Sequence, residues 1–147
     1  MYFVNRSEIE ETVNYIEKVL QEINAFDRVN NKRDAFALER MTHIVIESIL
    51  DVGNMMIDGF IMRDPGSYHD IIDILIDERV IEEKDEKAYK DLIDLRQQLV
   101  QHFQAIQHDH LLQVLQDNIT VYESFKTKIH TYLANELDVA NAFSNEE

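Results

Sequence analysis

The chain has 147 residues, 45% of them hydrophobic, with 29 acidic residues against 14 basic ones and a net charge of −15. That length suits one domain with a sizeable core and hardly two, and the hydrophobic share argues against global disorder. Cysteine is absent, which excludes disulfides and thiol chemistry, and the acidic balance opposes nonspecific binding to polyanions, because phosphate contacts depend on Lys and Arg.

With 3 glycines and 1 proline the chain has few breaks, which favours long helices. The start, MYFVN, is a short apolar stretch and not a charged-then-apolar leader. No run approaches the roughly 18 apolar residues of a membrane span, so the expected setting is the cytoplasm, with no membrane partner. Ser7 with Glu10 reads as a capping box, followed at helical spacing by Ile9, Val13, Ile16, Leu20 and Ile23. A polar break over 27–31 ends that helix. A second helix over 34–61 is the most apolar segment. Asp64, Pro65, Gly66 and Ser67 make a turn, and Ser67 is the expected N-cap of a short helix over 68–77. The charged run from Glu82 to Lys87 opens a helix read over 85–106. A break follows at His108 and Asp109, with His108 and His110 read as loop residues. Leu111, Leu115, Tyr122, Phe125, Ile129 and Leu133 then carry a last helix to about 137. The expected architecture is all-α, an up-and-down bundle of four long helices and one short one. It forms a single domain over 1–137 with an acidic tail over 138–147 that frays.

On the second helix, Arg40, His43, Glu47, Asp51, Asn54 and Asp58 fall within roughly 80° of one another at about 100° per residue. The remaining two thirds of the circumference is apolar, more than a small bundle is expected to cover by itself. A homodimer face is the implied remedy. His43, Glu47 and Asp51 stand at i, i+4 and i+8 on one ridge. That ridge reads as a solvated polar face, as a divalent-metal site, or as the carboxylate partner of a buried cation. The chain has no Glu-x-x-His motif of the kind that di-metal bundles draw from two helices, so no metal is expected.

The cation is Arg96. On a helix over 85–106, Ala88, Tyr89, Leu92, Ile93, Leu95, Leu99, Val100, Phe103 and Ile106 fill roughly 160° centred on it. Arginine is almost never fully buried unpaired, so this position requires a carboxylate (Glu47 or Asp51 by their facing), a subunit interface, or a ligand. His102 lies about 120° round the same helix. An imidazole there reads either as a half-buried edge residue or as a general base, one that meets Arg96 only if two helices come together across a two-fold axis. No Gly-rich phosphate loop, Ser-His-Asp set or zinc spacing is present.

The stretch Leu95-Arg96-Gln97-Gln98-Leu99-Val100-Gln101-His102-Phe103, behind a long apolar second helix, resembles the HepT-like family of the HEPN superfamily. The likeness extends over essentially the whole chain, including the helix order, the segment from Glu47 to Asn54 and the turn from Arg63 to Ser67. The family pattern is Arg, four residues with Asn often first, His, any residue, then Tyr. Arg96 matches the motif arginine, Gln97 replaces the frequent Asn, Gln101 stands at the histidine position and Phe103 at the tyrosine position. The looser superfamily spacing of four to six residues is met by Arg96 with His102. The resemblance implies a bacterial HEPN four-helix bundle, homodimeric, acting as a metal-independent endoribonuclease toxin without a cofactor. Its implied partner is a minimal nucleotidyltransferase antitoxin, which in such systems adenylylates the motif tyrosine. Phe103 has no hydroxyl to modify, and Gln101 cannot take a proton at neutral pH. In that scheme Arg96 stabilises charge and His102 is a displaced base. The alternative is a non-catalytic HEPN scaffold whose Arg96 is structural or binds a nucleotide-like anion.

Overall fold

The structure, a computed structural model, describes the backbone of residues 4–146 and the side chains of residues 4–136. Its regular elements are all helical: α1 Arg6–Asn24, α2 Lys32–Gly59, α3 Tyr68–Asp77, a 3-10 turn Glu83–Asp85, α4 Glu86–Val100, α5 His108–Asp117 and α6 Ile119–Glu146. The all-α bundle is as expected, with six α-helices in place of five. The acidic segment 138–147 lies outside the residues whose side chains are described.

Polar side chains set the helix starts. Asn5 caps α1: its side-chain oxygen accepts the Glu8 backbone N–H at 3.1 Å, and its Nδ2 donates to the Glu8 carboxylate at 2.9 Å. The box expected at Ser7 and Glu10 therefore sits two residues earlier, and Ser7 and Glu10 are already helical. Asn31 accepts the Asp34 N–H at 2.9 Å, which starts α2 two residues before the expected boundary. Ser67 caps α3 as expected, accepting the Asp70 N–H at 3.0 Å.

Two departures matter for the site. The helix expected over 85–106 stops at Val100. Its last turn closes with the N–H groups of Gln101 and His102 donating to the carbonyls of Gln97 and Gln98, after which the Gln98 side chain accepts the Gln107 N–H at 3.1 Å. Residues 101–105 are all exposed, so a further turn there has no apolar face to bury. The last helix divides at Asn118, whose Nδ2 donates to the Val114 carbonyl while its own carbonyl accepts from Val121 and Tyr122. Asn118 thus closes α5 and opens α6. His108 and His110, read as loop residues, belong to the first turn of α5.

Helix α2 is the centre of the molecule and packs against α1, α3, α4 and α5. Leu38, Val45, Ile46, Ile49, Leu50, Val52, Met56 and Ile57 are buried within the single chain. Much of the apolar surface of this helix is thus covered by the chain's own helices, because α3 and α5 each supply a further packing face, while Met41, Ile44 and Met55 are half-buried and Phe36 is exposed. Gly53 permits the closest approach: a Cβ there would stand 2.6 Å from Ile71 Cγ2 of α3. Between α4 and α6, Tyr122 is fully buried and donates its hydroxyl to the Ala88 carbonyl at 2.7 Å, while Tyr89 returns a hydroxyl to the Val121 carbonyl at 3.3 Å.

Candidate active site

Arg96 projects from the last two turns of α4 toward α2 and the start of α3. Its Nε donates to Glu47 Oε1 at 2.6 Å, and its guanidinium carbon stands 4.7 Å from the centre of the Tyr68 ring. The side chain is half-buried, at 27% exposure, and not sealed into an apolar stripe. The shortened α4 explains this: Phe103 and Ile106 no longer belong to its helix, and Phe103 is 62% exposed. The Glu47 hydrogen bond raises the Arg96 pKa against a smaller opposing effect of burial, so the cation is permanent. Among the described residues neither Nη group has a hydrogen-bond acceptor, which leaves the four N–H donors of the two Nη groups for an anion.

The other ridge residues divide. His43 Nε2 lies 3.6 Å from the same Glu47 oxygen that Arg96 holds. Asp51 is exposed and does not reach Arg96; burial, with the neighbouring Glu47 charge second, raises its pKa. Among the described residues no three His, Asp or Glu side chains gather as a metal-holding group.

Arg96 opens into a cleft of 460 Å³ that it shares with Tyr68, His69, Asp94, Gln97 and Gln101. Gln101, at the C-cap of α4, touches this cleft and also an adjoining one of 290 Å³ lined by His102, Phe103, Gln104 and Ala105. His102 is exposed in the turn beyond α4, so the structure sets it beside the Arg96 cleft without bringing it in.

The far wall is held rigidly. Arg63 makes a two-pronged pair with Asp70, at 2.6 and 2.8 Å, and the Asp70 carboxylate also accepts the Gly66 N–H at 2.8 Å. This brace fixes the 63–67 turn against α3 and so places Tyr68 and His69. The Arg63 hydrogen bond, with the Gly66 N–H second, holds the Asp70 carboxyl at about 2. His69 Nε2 pairs with Asp94 Oδ1 at 2.6 Å, linking α3 to α4 across the cleft floor. Tyr68, His69 and Asp94 do not stand out as site residues in the sequence. The available signals were an aromatic and an imidazole directly behind an N-cap serine, and a carboxylate two residues before the out-of-place arginine.

The family described as Ribonuclease HepT-like matches this chain over residues 9–129. The chain belongs to the HepT-like family. YutE of Bacillus subtilis (strain 168), provisionally described as an RNase, is 43% identical over 143 residues, spanning 97% of this chain and 99% of YutE. The YutE structure, described as that of a cytosolic protein of unknown function, superposes with a TM-score of 0.90 at 44% identity, covering 93% of this chain and 96% of that one. An AMPylated HEPN toxin of Shewanella oneidensis, solved with its MNT antitoxin, has a TM-score of 0.71 at 17% identity, covering 84% and 95%. A toxin–antitoxin structure with AMP-PNP has a TM-score of 0.72, also at 17% identity. These two likenesses show the fold alone, one shared with the Shewanella HEPN toxin. Among the described residues of this chain, no helix is long and apolar enough to cross a membrane.

Proposed function

We propose that this HepT-like protein is a metal-independent endoribonuclease, the toxin half of a module whose other half is a nucleotidyltransferase antitoxin. The observation that carries this reading is the presentation of Arg96. Its Nε is fixed by Glu47, its guanidinium lies over the Tyr68 ring, its Nη groups have no acceptor among the described residues, and the side chain lines a cleft of 460 Å³. A fixed guanidinium is the group that charge build-up on a phosphorane requires. The antitoxin partner is supported by the two HEPN-fold neighbours described as toxin–antitoxin structures. A cytoplasmic site of action accords with the description of YutE.

The working unit is a homodimer. Phe36 near the start of α2 is 64% exposed, Val100 at the end of α4 and Phe103 in the turn beyond it are also exposed, and Phe36 shares a cleft with Leu99, Arg40 and His43. These residues form an apolar edge beside Arg96 that a second copy covers. With a net charge of −15, long-range attraction does not bring RNA to the protein, so recognition is local to the Arg96 cleft. Gln101 at the family histidine position binds without exchanging protons. His102, the histidine nearest in sequence, reaches the phosphate only if a second copy or a rearranged helix end carries it there.

The test is cleavage of total RNA and a tRNA pool in EDTA by the purified protein and by Arg96→Ala. Cleavage lost in a folded Arg96→Ala protein is the expected result. Intact RNA at micromolar wild-type protein overturns the reading and leaves a HEPN scaffold with an anion-binding arginine.

A further inference from the structure

Four histidines lie against carboxylates: His43 with Glu47, His69 with Asp94, His108 with Glu39 and His130 with Glu10. Surface pairs of this kind are ordinary in an acidic protein, and three of them have no place in the Arg96 cleft. His108 of α5 pairs with Glu39 of α2, His130 of α6 pairs with Glu10 of α1, and His43 lines a separate cleft with Phe36 and Leu99. His69 alone of the four lines the cleft into which Arg96 opens.

Resting on the ribonuclease reading, we propose that His69 is the proton-transfer residue of this site and that Asp94 positions it, in place of the histidine that Gln101 replaces. Asp94 takes the Nε2 side of the ring at 2.6 Å. With Nε2–H donated to that carboxylate, Nδ1 keeps its lone pair, the tautomer a general base needs. The brace from Arg63 to Asp70 fixes the start of α3, so the imidazole and the guanidinium keep their relation through two rigid helices. Tyr68, the neighbour of His69, touches Arg96, and all three side chains line the same cleft.

In the proposed step Nδ1 of His69 takes the proton of a ribose 2′-hydroxyl. The 2′-oxygen forms a bond to the adjacent phosphorus while Arg96 holds the non-bridging oxygens, and the P–O5′ bond breaks. The products are a 2′,3′-cyclic phosphate and a 5′-hydroxyl, O5′ receiving its proton from His69 or solvent, so nothing else is consumed. His69 is 42% exposed and Asp94 is exposed, so neither is needed for the core.

The experiment follows kcat and KM on a short RNA in EDTA for wild type, His69→Asn, His69→Gly, Asp94→Asn, His102→Ala and His130→Asn as a matched pair away from the cleft. His69→Asn should lose about 10²- to 10⁴-fold in kcat with little change in KM and an unchanged melting temperature. Added imidazole should restore part of the rate to His69→Gly and none to Asp94→Asn, whose ring is present but loosely held. His130→Asn should cleave like wild type. If His69→Asn keeps the wild-type rate while His102→Ala is inactive, the assignment to His69 falls and the ribonuclease reading stands. If the wild-type protein leaves RNA intact, both fall.

Discussion

Replacing Arg96 by alanine separates an anchoring arginine from one held out for a ligand. Were the guanidinium and its carboxylate sealed in the core, removing one partner would strand a charge and cost about 3–5 kcal/mol. The pair is not sealed: Arg96 is 27% exposed and Glu47 is 39% exposed, so water reaches the carboxylate once the arginine is gone. Solvent screening brings the ion pair down to about 0.5–1 kcal/mol. The contact with the half-exposed Tyr68 ring adds about 0.5–1 kcal/mol. A total loss of about 1–2 kcal/mol lowers the melting temperature of a chain this size by about 3–6 °C. Calorimetric melts of Arg96→Ala, Glu47→Gln and the double variant measure this directly. The two single losses should couple by no more than about 1 kcal/mol. A loss above 4 kcal/mol, or an Arg96→Ala protein that does not fold, would refute the reasoning and make Arg96 part of the core.

Two further outcomes test the frame around the site. Gly53→Ala sets a methyl 2.6 Å from Ile71 Cγ2, on a β-branched side chain with little room to turn; the overpacking cost of about 1–3 kcal/mol exceeds the gain of about 1 kcal/mol in helix propensity, so denaturant melts should show a less stable protein. Equal or higher stability would mean that α2 and α3 separate freely. The Asp70 carboxyl is held at about 2 in the fold against an ordinary 3.8, so its contribution is complete above about pH 4 and disappears as pH falls toward 2. Melting temperatures of wild type and Asp70→Asn should therefore differ at pH 5 and converge by pH 2, and a constant gap would show that the Arg63 brace is not what stabilises this turn.

Helical periodicity reveals which residues of α1, α2 and α3 face inward, because apolar spacing on one helix is local information, and Ser67 is legible as a cap for the same reason. The end of α4 was not legible for a corresponding reason. Val100, Phe103 and Ile106 continue an apolar spacing, yet what stops the helix is a hydrogen bond from the Gln107 backbone to the Gln98 side chain, with neither glycine nor proline to mark it. That unseen stop turned a buried cation into a half-exposed one and moved His102 off the helix. At Asn118 the same blindness joined two helices into one, since a polar residue between Val114 and Tyr122 reads equally well as surface. The Arg96 position, its apolar flanks and the facing of Glu47 were accessible from spacing alone. The opposite wall of the cleft was not. It comes from α3, and no periodicity on one helix states which other helix packs against it.

The crossed tyrosines between α4 and α6 give the protein a built-in optical reporter. The chain has no tryptophan, so its near-ultraviolet absorption and emission belong to tyrosine. Tyr89 and Tyr122 sit with ring centres 5.9 Å apart, and Tyr89 with Phe125 at 6.0 Å, in a fixed, asymmetric setting. Burial pushes both hydroxyls well above the usual phenol range, so in alkali they resist ionisation while the helices stay together. A phenolate band from the buried pair therefore signals that α6 has left α4, and dissociation of these helices can be read without any added label.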